Sequence, residues 1–137
     1  MLEHYSLKLL ITWVIILSVL YSALSIVRHN NFQSGAFDLG LYDQSVWQYS
    51  TFQTPYNTIK NRFILGDHLA LTLPILSPLF WIWDDVRMLL LFQALWVSLS
   101  ALPVFLLIRN RGYSSLVSLS LSFVYSLFYG IQFMVFF

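Results

Sequence analysis

Residues 9–27 read LLITWVIILSVLYSALSIV, nineteen residues without a formal charge, and this stretch decides the fold class. As a helix it is long enough to cross the ~30 Å hydrocarbon core of a bilayer. The small residues Ser22, Ala23 and Ser25 would also suit the cleavage region of a signal peptide. However, the apolar core of a signal peptide is usually only about 7–15 residues long. We therefore predict a retained membrane span.

The composition of the whole chain agrees with a membrane protein. Hydrophobic residues make up 58% of it and charged residues 9%, against about 25% charged residues in soluble domains. The net charge of +1, with Lys and Arg scattered along the chain, excludes a basic nucleic-acid-binding face. The absence of cysteine excludes disulfides, thiolate chemistry and Cys-ligated zinc. Membrane lipids are therefore the expected partners, and nucleic acid is not.

Two further uncharged runs, residues 88–108 and 113–137, predict a second and a third span. Arg109 and Arg111 lie between them, on the same side as Lys8 if cations stay in the cytoplasm. This arrangement predicts a multi-pass protein with a cytoplasmic N-terminus. It also places the loop formed by residues 28–87 on the outer face.

Residues 69–83 are apolar but too short to cross a bilayer comfortably, and they contain Pro74 and Pro78. We predict a re-entrant or interfacial helix for them. Pro103, inside the second span, predicts a kink in that span.

The first half of the outer loop has a helical pattern. Leu39, Tyr42, Val46 and Tyr49 recur at spacings of three and four, with Asp38 ahead of them as a candidate N-cap. This pattern predicts a surface helix over about residues 38–52, lying flat on the membrane.

The predicted fold class is therefore an all-α integral membrane protein with about three transmembrane helices. Its structured outer loop carries the surface helix and the short re-entrant or interfacial helix. We expect one membrane domain over residues 1–137. Because the chain stops inside an apolar run, we also expect it to be the N-terminal part of a longer protein.

Three segments carry a resemblance to a known family: FDLGLYDQSVW at 37–47, GDHLALTLPILSPLFWIW at 66–83 and LLLFQALWVSLSALPVFLLIR at 89–109. They resemble the multi-pass membrane proteins grouped as domain of unknown function 2079. That family in turn resembles the GT-C membrane glycosyltransferases, which take sugars from polyprenyl-phosphate carriers and keep an essential acid in the first outer loop. The resemblance implies a GT-C-like N-terminal part and a polyprenyl-phosphate-linked sugar as a partner.

Asp38 is the candidate catalytic residue, because the resemblance puts it where those enzymes carry their loop acid. Transfer of a sugar to a hydroxyl needs a carboxylate that takes the acceptor proton or holds a metal that does so. The alternative role for Asp38 is a helix N-cap. Asp43 lies five residues later, about 140° around a helix, and is a candidate for substrate binding or for a structural role.

The end of the loop supplies further candidates. Asp67 and His68, with Asp38, are candidate ligands for a divalent cation, although an Asp-His pair at a helix start also serves as a cap. His68 is also a candidate for substrate binding. Lys60 and Arg62 are candidates for the lipid phosphate, or for ordinary headgroup contact.

Two functions of different classes follow. The first is a membrane glycosyltransferase, or its N-terminal part, acting at the outer face. The second is a non-enzymatic membrane protein, a transporter or an assembly subunit, in which the same residues serve an ion path. The three predicted spans contain no ionisable Asp, Glu, Lys, Arg or His, whereas the acids lie in the loop. This distribution favours the enzyme.

Overall fold

The computed structural model describes residues 2–67 and 69–135. Contacts divide the chain into two compact units. The span unit comprises the residues up to Asn31 and those from Leu90 onward, and the loop unit is Phe32–Leu89.

Among the described residues, the span unit contains five apolar helices. They are α1 (Leu2–Asn30), α4 (Arg87–Leu99), α5 (Ala101–Asn110), α6 (Ser115–Ser126) and α7 (Tyr129–Val135), where α4 begins within the loop unit. Tyr5–Asn30 and Arg87–Asn110 are each long and apolar enough to cross a membrane, and α6 with α7 forms a third span if the bent pair counts as one. The prediction of an all-α membrane protein is confirmed.

Two spans are interrupted. Between α4 and α5 the helix breaks at Ser100, three residues before Pro103. The ring of a proline clashes with the carbonyl four residues earlier and removes that carbonyl's usual N–H partner, which here affects Leu99. Between α6 and α7 the axis bends by 51° without a proline.

The third span packs through small residues. Ser115, Ser118, Ser122 and Ser126 are buried and recur at spacings of three and four along α6. Small side chains let membrane helices approach closely. The hydroxyls of Ser118 and Ser122 donate to carbonyls one turn earlier, those of Ser114 and Ser118, so these polar groups are satisfied within their own helix.

Helix α1 binds the third span by side-chain hydrogen bonds at the end of α6 and at the end of α7. The indole Nε1 of Trp13 donates to Oγ of Ser126, and the hydroxyl of Tyr21 donates to the Ser126 carbonyl, both at 2.9 Å. Ser25 Oγ donates to the Val135 carbonyl at 3.0 Å. These bonds meet helix ends, where backbone carbonyls lose their intrahelical partners.

The loop unit contains helix α2 (Ala36–Ser50), a two-stranded antiparallel hairpin and a short broken helix. The hairpin pairs β1 (Tyr56–Asn57) with β2 (Arg62–Phe63), in the register Tyr56 to Phe63 and Asn57 to Arg62. After a 3-10 turn at Ile64–Gly66 comes α3 (Thr72–Leu76), continued by a 3-10 helix at Ser77–Trp81. The core of this unit consists of Val46, Ile64, Leu73, Phe80 and Leu89.

Pro78 explains why α3 gives way to a 3-10 helix. In a continuous α-helix the Pro74 carbonyl would accept from the N–H of residue 78, which a proline lacks. The hydroxyl of Ser77 donates to that carbonyl at 2.8 Å instead. Segment 69–83 therefore holds a short helix over Thr72–Trp81.

The structure corrects three details of the sequence analysis. Helix α2 begins at Ala36 with Gly35 as its N-cap, so the prediction that Asp38 is the N-cap is wrong. The stripe containing Val46 and Tyr49 packs against α3 and the 3-10 helix, so protein covers it. That α2 lies flat on the membrane stays a prediction. The hairpin, whose strands are two residues each, was not predicted.

Two phenylalanines adopt left-handed backbone conformations directly after helices. Phe32 has φ 55° and Phe52 has φ 57°, positions at which helices usually place glycine. For an L-residue with a bulky side chain this conformation costs roughly 1–2 kcal/mol. Both side chains are almost wholly exposed, at 97% and 86%.

Candidate functional site

Asp38 lies at the third position of α2, in its first turn. The first helical bond joins the Leu39 N–H to the Gly35 carbonyl at 3.0 Å, and Gly35 tolerates the N-cap position without a side-chain contact. An acid in the first turn is favoured by the positive end of the helix dipole. The Asp38 carboxylate is half-buried and makes no hydrogen bond or ion pair with the residues that the structure describes.

Asp43 lies on the same helix, five residues further along. Five residues correspond to about 140° of rotation, so the two acids point to different sides of α2. Both are half-buried. The structure therefore does not bring the carboxylates of Asp38 and Asp43 onto one face.

Asp67 is the centre of a small ionic cluster. Its Oδ2 forms an ion pair with Nζ of Lys60, and its Oδ1 lies 3.9 Å from a guanidinium nitrogen of Arg62. The Asp67 side chain is 15% exposed, Lys60 26% and Arg62 58%. Two cations against one carboxylate leave this trio with a net charge of +1.

A cation–aromatic contact connects this cluster to the start of α2. Nζ of Lys60 lies 5.7 Å from the ring centroid of Phe37, within the range of a cation–π interaction. Phe37 immediately precedes Asp38, and consecutive Cα atoms are ~3.8 Å apart. The first turn of α2 and the ionic cluster are thus neighbours in the loop unit. The sequence analysis did not predict this contact, although Phe37 stands in the FDLGLYDQSVW segment.

The hairpin fixes the position of Lys60. Asn57 is buried, and its Oδ1 accepts from the N–H groups of Ile59 and Lys60, each at 3.0 Å. This is an Asx turn, in which a side-chain oxygen replaces a backbone carbonyl. Asn61 completes the loop in a left-handed conformation with φ 53°, which asparagine tolerates better than most residues.

Two glutamines of α2 attach the hairpin to the helix. Oε1 of Gln44 accepts from the backbone N–H and the hydroxyl of Thr58, both at 3.2 Å. Nε2 of Gln48 donates to the Tyr56 carbonyl at 3.0 Å. Because residues four apart share a helix face, one side of α2 holds the hairpin in place. In the sequence, only the spacing of four between these glutamines indicates this contact.

The part of the chain that the structure describes contains no complete set of ligands for a metal ion. No group of three His, Cys, Asp or Glu side chains is placed to hold an ion among residues 2–67 and 69–135. Asp67 is already paired with two cations. His68, a predicted ligand and substrate-binding residue, lies outside the described residues, so its role stays a prediction.

Apolar span helices and a polar loop unit define the class of this protein as a helical integral membrane protein. The chain belongs to the family described as Predicted membrane protein (DUF2079), which matches residues 28–136. That match includes every candidate site residue. No curated protein and no solved structure matches the chain.

Proposed function

We propose that this protein is a membrane glycosyltransferase, or the N-terminal part of one, that transfers a sugar from a polyprenyl-phosphate carrier at the outer face of the membrane. The observation that carries the proposal is the Asp38 carboxylate, half-buried and without a partner among the described residues. Because no side chain that the structure describes pairs with this carboxylate, its oxygens can contact an acceptor hydroxyl.

Asp38 takes the proton in the proposed reaction. The oxygen of the acceptor hydroxyl attacks the anomeric carbon of the donor sugar, and the bond from that carbon to the carrier phosphate breaks. The bonding electron pair leaves with the phosphate oxygen, while the hydroxyl proton passes to the carboxylate of Asp38. General base catalysis of this kind contributes about 100-fold to 10,000-fold.

Lys60 and Arg62 bind the carrier phosphate. A phosphate oxygen accepts charge-assisted hydrogen bonds from ammonium and guanidinium groups, and the cluster with Asp67 keeps one net positive charge for it. Arg62 is the more exposed of the two cations and makes the longer contact with Asp67. Arg62 can therefore bind the phosphate at a smaller cost to the ion pairing of Asp67 than Lys60. The Phe37 contact keeps Lys60 near the base.

The test compares Asp38→Asn with the parent in the full-length protein, by glycosyl transfer in membranes and by lipid extracts of a deletion strain and its complemented derivatives. Asn preserves size and removes the charge and the basicity. We expect Asp38→Asn to insert and fold like the parent and to lose transfer by about 100-fold or more. Asp43→Asn, on another side of the same helix, is the comparison, and we expect it to lose less transfer than Asp38→Asn.

If Asp38→Asn keeps near-parental transfer, Asp38 is not the general base. Unchanged lipid-linked sugars in the deletion strain would contradict the enzyme itself and favour the non-enzymatic alternative, a transporter or assembly subunit.

A further inference from the structure

Three exposed apolar side chains cluster where α2 ends. The ring centroids of Phe52 and Trp81 are 6.1 Å apart, and Ile82 follows Trp81 directly. All three are strongly exposed. We call Phe52, Trp81 and Ile82 the Phe52 patch.

The Phe52 patch is held in place by polar bonds beneath it. The indole Nε1 of Trp81 donates to the carbonyl of Ser50, the last residue of α2, at 2.8 Å. The N–H of Phe52 donates to the Tyr49 carbonyl at 3.1 Å. The indole N–H therefore needs no water, and the aromatic rings present an apolar surface whose polar atom is already satisfied.

Phe32 lies at the other end of α2, four residues before Ala36, and it resembles Phe52 in two respects. Both adopt the left-handed conformation that bulky residues rarely take, and both expose nearly the whole side chain. An exposed phenylalanine in water offers nothing to offset that strain. Burial of the ring in an apolar medium does offset it.

The bilayer is the apolar medium closest to these residues. Phe32 follows α1 by two residues, and α1 contains a membrane-spanning stretch, so the chain cannot carry Phe32 far from the lipid. Residues 69–83, which supply Trp81 and Ile82, contain no Asp, Glu, Lys or Arg. Aromatic residues are enriched at membrane interfaces for this reason.

We propose that Phe32 and the Phe52 patch insert into the bilayer interface and hold α2 along the membrane surface by its two ends. Helix α2 has fifteen residues and is therefore about 22 Å long. Anchored at one end alone it would be free to stand away from the membrane. Anchored at both ends it lies parallel to the surface, with Asp38 at the level of the lipid headgroups. This placement does not require the protein to be an enzyme.

The chain has no cysteine, so single cysteines can be introduced and spin-labelled in the full-length protein in phospholipid vesicles. Phe32→Cys, Phe52→Cys and Ile82→Cys report on the proposed contact, and Ile59→Cys, an exposed apolar position in the hairpin, is the matched control. We expect the first three labels to be relaxed by lipid-soluble oxygen and shielded from a water-soluble nickel chelate. The label at position 59 should show the reverse.

Equal access of the nickel chelate to positions 52, 82 and 59 would overturn the proposal. So would labels at 52 and 82 that neither reagent reaches, since another protein segment or a second copy would then cover the patch. Insertion at 52 and 82 without insertion at 32 would overturn the parallel orientation of α2.

A measurement without cysteine covers the case in which a labelled variant fails to fold. Brominated phospholipids quench tryptophans that contact lipid, so Trp81→Phe should remove a quenched part of the emission. If Trp81→Phe leaves the quenched fraction unchanged, Trp81 does not contact lipid and the proposal fails.

Discussion

The two cations that pair with Asp67 contribute unequally to stability. Lys60 is the less exposed, contacts the Phe37 ring and forms the closer ion pair. We expect Lys60→Met to lower the free energy of unfolding by about 1–3 kcal/mol, the range for leaving a partly buried charged group without its partner. Arg62→Met should cost below about 1 kcal/mol, as for an exposed ion pair. Thermal unfolding in detergent, followed by circular dichroism, measures both.

A loss for Arg62→Met equal to or above that for Lys60→Met would contradict this ranking. It would mean that the 3.9 Å contact holds Asp67 more firmly than the contact with Lys60. A cation other than Arg62 would then have to bind the carrier phosphate.

For single residues in this loop, the sequence indicated which side chains could take part in a site, but not which side chains would contact one another. The segment around Asp38 was recognisable as helical from its apolar spacing, but the first residue of the helix was not. Gly35 makes an acceptable N-cap without offering a side-chain oxygen, so the pattern of a typical capping residue pointed to Asp38 instead. The pairing of Asp67 with Lys60 depends on a hairpin whose loop contains Lys60 and whose second strand leads to Asp67.

Among the elements, the hairpin is the one whose geometry depends most on a single side chain. Asn57 is buried and accepts two backbone N–H groups. Asn57→Ala should lower the free energy of unfolding by about 1–3 kcal/mol, because both donors lose their acceptor inside the protein. Thr54→Ala, at an exposed position just before the hairpin, is the control and should cost about 0.5 kcal/mol or less.

Equal losses for Asn57→Ala and Thr54→Ala, measured by the same unfolding experiment, would show that solvent satisfies those two N–H groups. The Asx turn would then have no part in fixing Lys60.

Elements with strong periodicity or clear breakers could be predicted, and short ones could not. The apolar spacing of α2 indicated where that helix runs, and Pro78 and Pro103 indicated where helices break. Pro74, by contrast, lies inside α3. Two-residue strands have no periodicity to detect. The bend between α6 and α7 lacks a proline, and the bonds that meet it come from α1, more than a hundred residues away.

At the scale of the molecule, the predicted topology keeps the loop unit on one side of the membrane. Cysteines at Ser34 and Asp84 should react with a membrane-impermeant maleimide from outside, and one at Arg111 only after the membrane is opened. The reason is that Lys8, Arg109 and Arg111 follow the positive-inside tendency. Labelling of positions 84 and 111 from the same side would mean that residues 69–83 cross the bilayer.

The fold class was accessible from sequence because the lipid constrains it so strongly. A run such as residues 9–27 has only one way to satisfy its backbone in hydrocarbon, namely as a helix. The loop unit lacks that constraint. Its core brings together Val46, Ile64 and Leu89, which lie far apart in the chain, and no local pattern predicts such contacts.

The hydrogen bonds between α1 and the third span also bear on how the protein is made. Trp13, Tyr21 and Ser25 donate hydrogen bonds to residues 113, 105 and 110 positions later in the chain. These donors are therefore synthesised long before their acceptors. An N–H or O–H without a partner in hydrocarbon is costly. Helix α1 is therefore synthesised before the acceptors of these three donors, and the three hydrogen bonds can form only after residues 126 and 135 have been made and have reached α1.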